Sequence, residues 1–263
     1  MNIQKSFDII FHVNKEGDKM ILKTITFNMC HGEGLDGIIN VERQAKFLKK
    51  YKPDIIFLQE IDMYTQRVYS ENQIYTFSKH VDLQYRAMGI NIKYKNGYYG
   101  DGILSRFPIE YSANYLMPLV DQNNEQRGIL CNKISFGTTK LNLFSVHFPT
   151  NLEERKLATE ELINIIEKID ENEVIIIGGD FNIGIEKIGK HKYKFEKSEK
   201  YPEYEMLKAH LNKIENQEDT WFSEMGQACI DTIFYSKNIK VIKVETLENQ
   251  YSDHYAVYTE FEI

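Results

Sequence analysis

The sequence predicts an α/β fold in which two packed sheets are covered by helices. The runs 55–58 and 174–177 are rich in β-branched residues, as is typical of strands buried on both faces. Apolar stripes at helical spacing follow the capping residues Asn40 and Asn151. Asn96-Gly97 is a hairpin signal. Crossovers together with hairpins favour two packed sheets over a single doubly wound parallel sheet.

The remaining elements alternate along the chain in the same way. Strands are predicted at 21–29, 55–58, 85–92, 102–108, 110–117, 128–136, 140–148, 174–182, 230–235, 239–246 and 255–262. Helices are predicted between Asn40 and Pro53, after a capping box at Ser70-x-x-Gln73, after Asn151, and near 203–212. The segment 186–204 has no clear period, and long loops of this kind are often functional.

The chain of 263 residues, 42% of them apolar, is long enough for one large domain. Without repeats or a linker, we expect a single domain over residues 21–263. Residues 1–20 are expected to be an extension, with an edge strand near 7–13 as the alternative, and Met20 is a possible true start.

The totals also limit the classes of function and location. A net charge of −7 and a pI of about 5.6 argue against broad nonspecific binding of nucleic acid. Three well-separated cysteines fit a reducing compartment, and the lack of a CxxC pair argues against a structural zinc site. No run of 18 apolar residues and no signal peptide are found, so we expect a cytoplasmic location without a membrane span. The sequence indicates no protein partner.

Polar residues recur where the apolar strands end. They are Asn28, Glu60, His147, Asp180, Asn182, Asp231, Asp253 and His254. In extended chain Asp180 and Asn182 would share one face, while the alternative is that they form an Asx turn leaving the strand. Each of the others also has an ordinary explanation, such as a satisfied core histidine for His147. Their joint placement favours a catalytic site at this edge.

Several short motifs, in this order, resemble the endonuclease/exonuclease/phosphatase superfamily of metal-dependent hydrolases, including its small bacterial members. The motifs are Thr-Phe-Asn at 26–28, Leu-Gln-Glu at 58–60, Ile-Leu-Ser-Arg at 103–106, Val-His at 146–147, Gly-Asp-Phe-Asn at 179–182, Ile-Asp-Thr-Ile-Phe at 230–234 and Ser-Asp-His at 252–254. The resemblance covers about residues 21–263. It implies a four-layer α/β/β/α sandwich with its site at one mouth.

The resemblance also implies a divalent metal. Glu60, helped by Asn28, would hold Mg²⁺ or Mn²⁺, and Asp253 would assist His254 or a second metal. Some nuclease members carry an acidic residue two positions after the Asn28 equivalent, where this chain has Cys30. A single-metal site is therefore the expectation.

The resemblance implies roles for the other polar residues. Asp180 would orient or deprotonate the attacking water, and Asn182 would hold water or phosphate. His254 would act as acid/base or phosphate ligand, oriented by Asp231. His147 would hydrogen-bond the transition-state phosphate, and Arg127 is a further candidate for phosphate contact.

The expected activity is hydrolysis of phosphodiester or phosphomonoester bonds by metal-assisted in-line attack of water. The substrate class stays open between a phosphorylated small molecule, a lipid headgroup as in sphingomyelinases, and DNA or RNA. A non-catalytic phosphate-binding module is the remote alternative. In segment 186–201 six lysines face three glutamates, with Tyr193, Phe195 and Tyr201 interleaved. We interpret it either as a solvated loop or as a lid that steers a small anionic substrate.

Overall fold

Two six-stranded sheets form the centre of the protein. The computed structural model describes residues 20–189, 192–195, 201–215, 218–224 and 226–263. Within these residues the strands are β1 (Ile21–Asn28), β2 (Ile55–Met63), β3 (Tyr85–Tyr94), β4 (Gly97–Ser105), β5 (Ile109–Leu116), β6 (Gly128–Phe136), β7 (Thr139–His147), β8 (Val174–Asp180), β9 (Ile185–Gly189), β10 (Lys192–Phe195), β11 (Asn212–Lys213), β12 (Trp221–Ser223), β13 (Gly226–Ala228), β14 (Asp231–Tyr235), β15 (Lys240–Leu247) and β16 (Ala256–Glu262).

The first sheet has the strand order β15-β16-β1-β2-β4-β3. Its two central strands, β1 and β2, run parallel and are joined by helix α1 (Val41–Lys49). Helix α2 (Gln73–Val81) packs beside α1 on the same face. Leu48 and Phe77, one from each helix, bury their side chains against this sheet. The outer face of the first sheet is thereby covered by helices.

The second sheet repeats this plan, with the strand order β11-β14-β8-β7-β6-β5. Strands β7 and β8 are parallel and are joined by helix α3 (Leu152–Ile166). Helix α4 (Pro202–His210) lies on the same outer face, where Leu162 and Leu207 share one apolar cluster.

The inner faces of the two sheets pack against each other through a third apolar cluster. It includes Phe57 from the first sheet and Ile176 from the second. Gly178 permits close approach here, since a Cβ at this position would lie 2.4 Å from the ring of Phe57. The four-layer α/β/β/α sandwich expected from the sequence is confirmed.

Most helices and strands begin and end near the residues predicted from the sequence, with some differences. Asn40 and Asn151 cap their helices as predicted, but α2 is capped by Asn72, whose side chain accepts from the backbone N–H of Tyr75. Ser70 instead adopts a positive φ of 59° two residues earlier, so the capping-box prediction was wrong. Part of segment 186–204 forms the hairpin β9–β10, followed by α4. Residues 1–19, 190–191 and 196–200, which include most of the extension and several lysines of the predicted lid, lie outside the described residues.

Candidate active site

The central strands of both sheets end at the same mouth of the sandwich. Asp180, the last residue of β8, pairs in register with His147 on β7 and with Asp231 on β14. Asn28 is the last residue of β1, and it pairs with Gln59 on β2. The strand-end placement inferred from the sequence therefore brings these polar side chains into one site.

A β-bulge turns Glu60 toward this site. The pairing of β2 with β4 shifts between Leu58 and Ile61, which leaves Gln59 and Glu60 opposite Asp101. Glu60 has a φ of +60°, a left-handed conformation that non-glycine residues rarely adopt. Bulges often re-aim a side chain next to an active site.

Asp180 is the acceptor at the centre of the site. Its Oδ2 accepts from Nδ2 of Asn28 at 3.1 Å and lies 3.3 Å from Nε2 of His147. Nε2 of His254 is 3.9 Å from the same oxygen. The Nδ2 of Asn28 also reaches Oε1 of Glu60 at 3.2 Å, so Asn28 connects the carboxylates of the two sheets.

Asn182 leaves the strand through the Asx turn that the sequence offered as the alternative. Its backbone N–H donates to Oδ1 of Asp180 at 3.0 Å, and its φ is +50°. Its side-chain amide donates to the carbonyl of Phe148 at 2.8 Å. The prediction that Asp180 and Asn182 share one face of an extended strand was therefore wrong. Both side chains nevertheless line the same pocket.

The fully buried Arg155 holds this turn in place, a role that sequence reasoning missed. Its Nη1 donates to the carbonyls of Asn182 at 2.5 Å and of Ile185 at 2.7 Å. Its Nε pairs with Glu203 at 3.2 Å. Arg155 lies in an amphipathic helix and Glu203 is far away in sequence, so no local pattern marks the pair.

The two histidines of the site differ in charge. Burial alone would lower the pKa of His254, but the carboxylates of Asp231 and Asp253 outweigh it and raise the pKa to about 10. Nδ1 of His254 lies 2.8 Å from Oδ2 of Asp231. His147, by contrast, has its pKa lowered well below the usual value by burial and by the charge of Arg127. His254 is therefore an imidazolium at neutral pH, and His147 is neutral.

Arg127 fixes the tautomer of His147. Its Nη1 contacts Nδ1 of His147 and lies 3.2 Å from Oε1 of Glu125. Since a guanidinium can only donate, Nδ1 of His147 is the acceptor and Nε2 carries the proton that faces Asp180. Burial raises the pKa of Asp180 to about 7, with the neighbouring Asp231 adding to the effect. The site thus holds an acid and a base that both titrate away from their ordinary range.

Glu60 and Asp253 form an acidic pair suited to a divalent ion. Burial and then the charge of Asp253 raise the pKa of Glu60, as expected for two neighbouring carboxylates. Hard carboxylate oxygens are the donors that Mg²⁺ and Mn²⁺ prefer. The oxygen of Asn28 instead accepts from the backbone N–H of Cys30 at 3.1 Å. As placed, Asn28 orients the carboxylates with its nitrogen, and its direct contribution to a metal site stays a prediction.

Most of the polar side chains of the site line one pocket of about 280 Å³, namely Glu60, Arg127, His147, Asp180, Asn182, Asp253 and His254. One wall comes from the first sheet and contains Arg67, whose guanidinium packs on the rings of Tyr94 and Tyr99 at 4.7 and 5.4 Å. The other wall contains Tyr193 of β10 and Trp221 of β12, with ring centroids 5.0 Å apart. Among these wall residues the sequence singled out only Tyr193, because nothing local places Arg67 or Trp221 near the strand ends.

Comparison with known proteins identifies the family. A family model described as "Endonuclease/Exonuclease/phosphatase family" matches residues 25–254. The chain belongs to the endonuclease/exonuclease/phosphatase family. The sequence resemblance is thereby confirmed over most of the chain.

The sequence is also similar to parts of two other proteins. The chain is 23% identical over 166 residues to tyrosyl-DNA phosphodiesterase 2 of Rattus norvegicus, covering 61% of this chain and 42% of that protein. It is 30% identical over 98 residues to the uncharacterized protein YbhP of Escherichia coli K12, covering 36% of this chain and 38% of that one. The matches thus span less than half the length of these relatives.

Solved structures support the same fold. A family protein from Bacteroides vulgatus superposes with a TM-score of 0.72 at 16% identity, covering 93% of this chain and 100% of that one. TDP2 of D. rerio, complexed with single strand DNA product, gives 0.66 at 19% identity, covering 92% and 99%. In the part of the chain that the structure describes, no helix has the length and apolar character needed to cross a bilayer.

Proposed function

We propose that this family member hydrolyses phosphoric esters with the help of Mg²⁺ or Mn²⁺, by in-line attack of water on phosphorus. The observation that carries the proposal is the position of Asp180 in the pocket. It accepts from Asn28, and it lies beside a neutral His147 and a charged His254. A carboxylate whose pKa is about 7 is matched to the task of a general base near neutral pH.

Each polar residue of the pocket has its own role in the proposed reaction. Asp180 orients the attacking water and takes its proton. Arg127 supplies positive charge for the phosphoryl oxygens, and the Nε2–H of His147 is a donor at the same place. His254, kept protonated by Asp231, is the acid available to the leaving group or to a charged oxygen. Asn182 lines the pocket beside them and offers a contact for water or phosphate.

Glu60 and Asp253 are the residues that would hold the divalent ion. When bound, such an ion polarises a phosphoryl oxygen and offsets the charge that develops in the transition state. Asn28 keeps Glu60 and Asp180 at a fixed separation by bonding to both.

The two pocket walls favour a diester over a simple monoester. A phosphodiester carries a group on each side of the phosphorus, and here aromatic walls from different sheets border the site. Rings such as Tyr193 and Trp221 can stack on a base or pack against another flat group. Nuclease and phospholipid phosphodiesterase activities are therefore both compatible with the pocket, and the acidic total charge favours small or flexible substrates over long duplex DNA.

The test is a substrate panel assayed with Mg²⁺, with Mn²⁺ and with EDTA. We expect bis-p-nitrophenyl phosphate to be cleaved faster than p-nitrophenyl phosphate. Among natural diesters, we expect small ones to be cleaved faster than large ones. The Asp180→Asn protein should lose activity on every substrate, whereas Glu171→Gln, exposed near the opposite end of β8, should not. Metal binding without turnover of any ester in the panel would revive the non-catalytic module.

A further inference from the structure

The turn that follows β1 carries a second set of potential metal ligands. Sγ of Cys30, a ring nitrogen of His31 and a carboxylate oxygen of Glu60 all lie within 4.8 Å of one another. In a tetrahedral zinc site with bonds of about 2.0–2.3 Å, ligand atoms are about 3.3–3.8 Å apart. These three atoms are thus near the separation that one ion requires, and the hard donor set of Glu60 and Asp253 does not use the other two.

His31 is prepared for coordination through one nitrogen. Its Nε2 lies 3.1 Å from Oε2 of Glu33. Its Nδ1 is buried and has no hydrogen-bond partner among the residues that the structure describes. A metal-binding histidine usually donates its other N–H to a carboxylate in this way, which fixes the tautomer and raises the basicity of the ligating nitrogen.

The backbone here is held in an unfavourable conformation. Cys30 and His31 are consecutive non-glycine residues with φ of +44° and +43°. Such conformations are unfavourable for residues other than glycine and cluster at binding sites. Buried amides from the two helices maintain the turn, since Gln44 donates to the carbonyl of Met29 and Gln73 to the carbonyl of His31.

Three carboxylates lie close enough to the Cys30 thiol to act on it electrostatically, those of Glu60, Asp253 and Glu33. A divalent ion bound at this point would offset their negative charge and stabilise the thiolate.

We propose that Cys30, His31 and Glu60 form an exchangeable Zn²⁺ site at the edge of the active site. Binding replaces the S–H bond of Cys30 with an S–Zn bond and releases one proton to solvent. Thiolate and imidazole select zinc over Mg²⁺ or Mn²⁺, which prefer oxygen. Three protein ligands leave a fourth position open, unlike the closed four-ligand structural sites that the missing CxxC pair argued against. Because Glu60 belongs to both donor sets, Zn²⁺ should compete with the catalytic ion, a consequence that rests on the proposed function.

The experiment uses the full chain, freed of metal with EDTA, and Co²⁺ as the spectroscopic probe. We expect a near-ultraviolet thiolate-to-cobalt band that Zn²⁺ abolishes by displacement. The band should persist in the control Cys229→Ser and vanish in Cys30→Ser. His31→Asn, which tolerates the left-handed backbone, should weaken Zn²⁺ binding about 10–100-fold or more. No turnover is needed, so the result stands apart from the outcome of the substrate panel.

A second variant tests the site without removing a ligand. Glu33→Gln should weaken Zn²⁺ binding about 10-fold by loosening the hold on His31, while Mn²⁺ affinity and the thermal transition stay unchanged. A cobalt band that survives in folded Cys30→Ser would overturn the proposal. So would equal Zn²⁺ affinity in the wild-type protein and in both the His31 and Glu33 variants.

Discussion

Nδ1 of His254 lies 2.8 Å from Oδ2 of Asp231, and both side chains are buried. This pair links the loop before β16 to the start of β14, at the point where β14 adjoins Asp180. The hydroxyl of Ser252 accepts from the backbone N–H of His254 and donates to the carbonyl of Asn28. His254 is thus held from both sheets, its backbone through Ser252 and its imidazole by Asp231, which also supports the charge of the ring.

We expect Asp231 and His254 to act as one unit. General acid–base groups contribute about 10²–10⁴ in rate, and coupled residues show non-additive losses. The double variant Asp231→Asn/His254→Ala should therefore have nearly the same kcat/KM as His254→Ala alone. The four proteins of this cycle should be assayed at saturating Mg²⁺. Fully additive losses would show that the two side chains work independently.

Glu60→Gln should weaken metal binding while it preserves the size of the side chain. Asn28 can no longer find a charged acceptor on β2, and Asp253 loses its partner in holding the ion. Activity should fall sharply at limiting Mg²⁺ and recover in part when Mg²⁺ is raised. Mn²⁺ titration of Glu60→Gln and of Glu171→Gln gives the comparison. Wild-type affinity in the Glu60 variant would remove this residue from the metal site.

Asp101 should make stability depend on pH. Burial raises its pKa from 3.8 to about 7, with Asn91 as a hydrogen-bond donor at 2.9 Å. The folded state therefore disfavours the charged form of Asp101. The contribution of Asp101 to stability is full below about pH 4 and is lost progressively as pH rises to about 7. A shift of about three units corresponds to roughly 4 kcal/mol.

Asp101→Asn removes that cost and keeps an oxygen that can accept from Asn91. The gain in Tm over the wild-type protein should accordingly be larger at pH 8 than at pH 5, measured in EDTA. A gain that is the same at both values would mean that Asp101 does not carry the charge penalty.

Breaking the buried ion pair of Arg155 should loosen the turn at Asn182. Arg155→Met leaves Glu203 buried without its cation and two carbonyls without their donor. Removing one partner of a buried pair costs about 3–5 kcal/mol. Adding Glu203→Gln to this variant should restore part of the lost Tm but not kcat, because the carbonyl of Asn182 stays unpaired. If Tm and kcat recovered to the same extent, Arg155 would contribute to stability alone.

The features that could be predicted from the sequence are those encoded by residues close together in the chain. Asp180 and His147 were placed correctly because runs of apolar residues reveal where strands end, and parallel neighbours end at the same edge. The contribution of Arg155 could not be predicted, since its charge is neutralised by a residue 48 positions away. The orientation of Asn28 also could not be read, because its oxygen faces a backbone N–H made available by the left-handed turn at Cys30.

The hairpin β9–β10 places two lysines beside the pocket. Alternation along β10 turns Tyr193 and Phe195 toward Trp221 and leaves Lys192 and Lys194 exposed. Tyr193 lines the pocket, so the two lysines stand on the outer side of a strand that borders the substrate. Nζ of Lys194 lies 3.8 Å from a carboxylate oxygen of Glu186. Because solvent screens this exposed pair, Lys194 still presents a positive charge.

Positive charge at this place should steer an anionic substrate toward a chain that is otherwise acidic. The double variant Lys192→Gln/Lys194→Gln should therefore raise KM and flatten its salt dependence, while kcat stays nearly unchanged because neither lysine lines the pocket. Lys79→Gln/Lys240→Gln, two exposed lysines on other elements, gives the same change in net charge and serves as the control. Equal effects of the two double variants would assign the result to net charge, and an unaltered KM at low salt would exclude a steering role. At about 0.15 M salt, where the Debye length is about 8 Å, efficient cleavage of plasmid DNA would contradict the preference for small substrates.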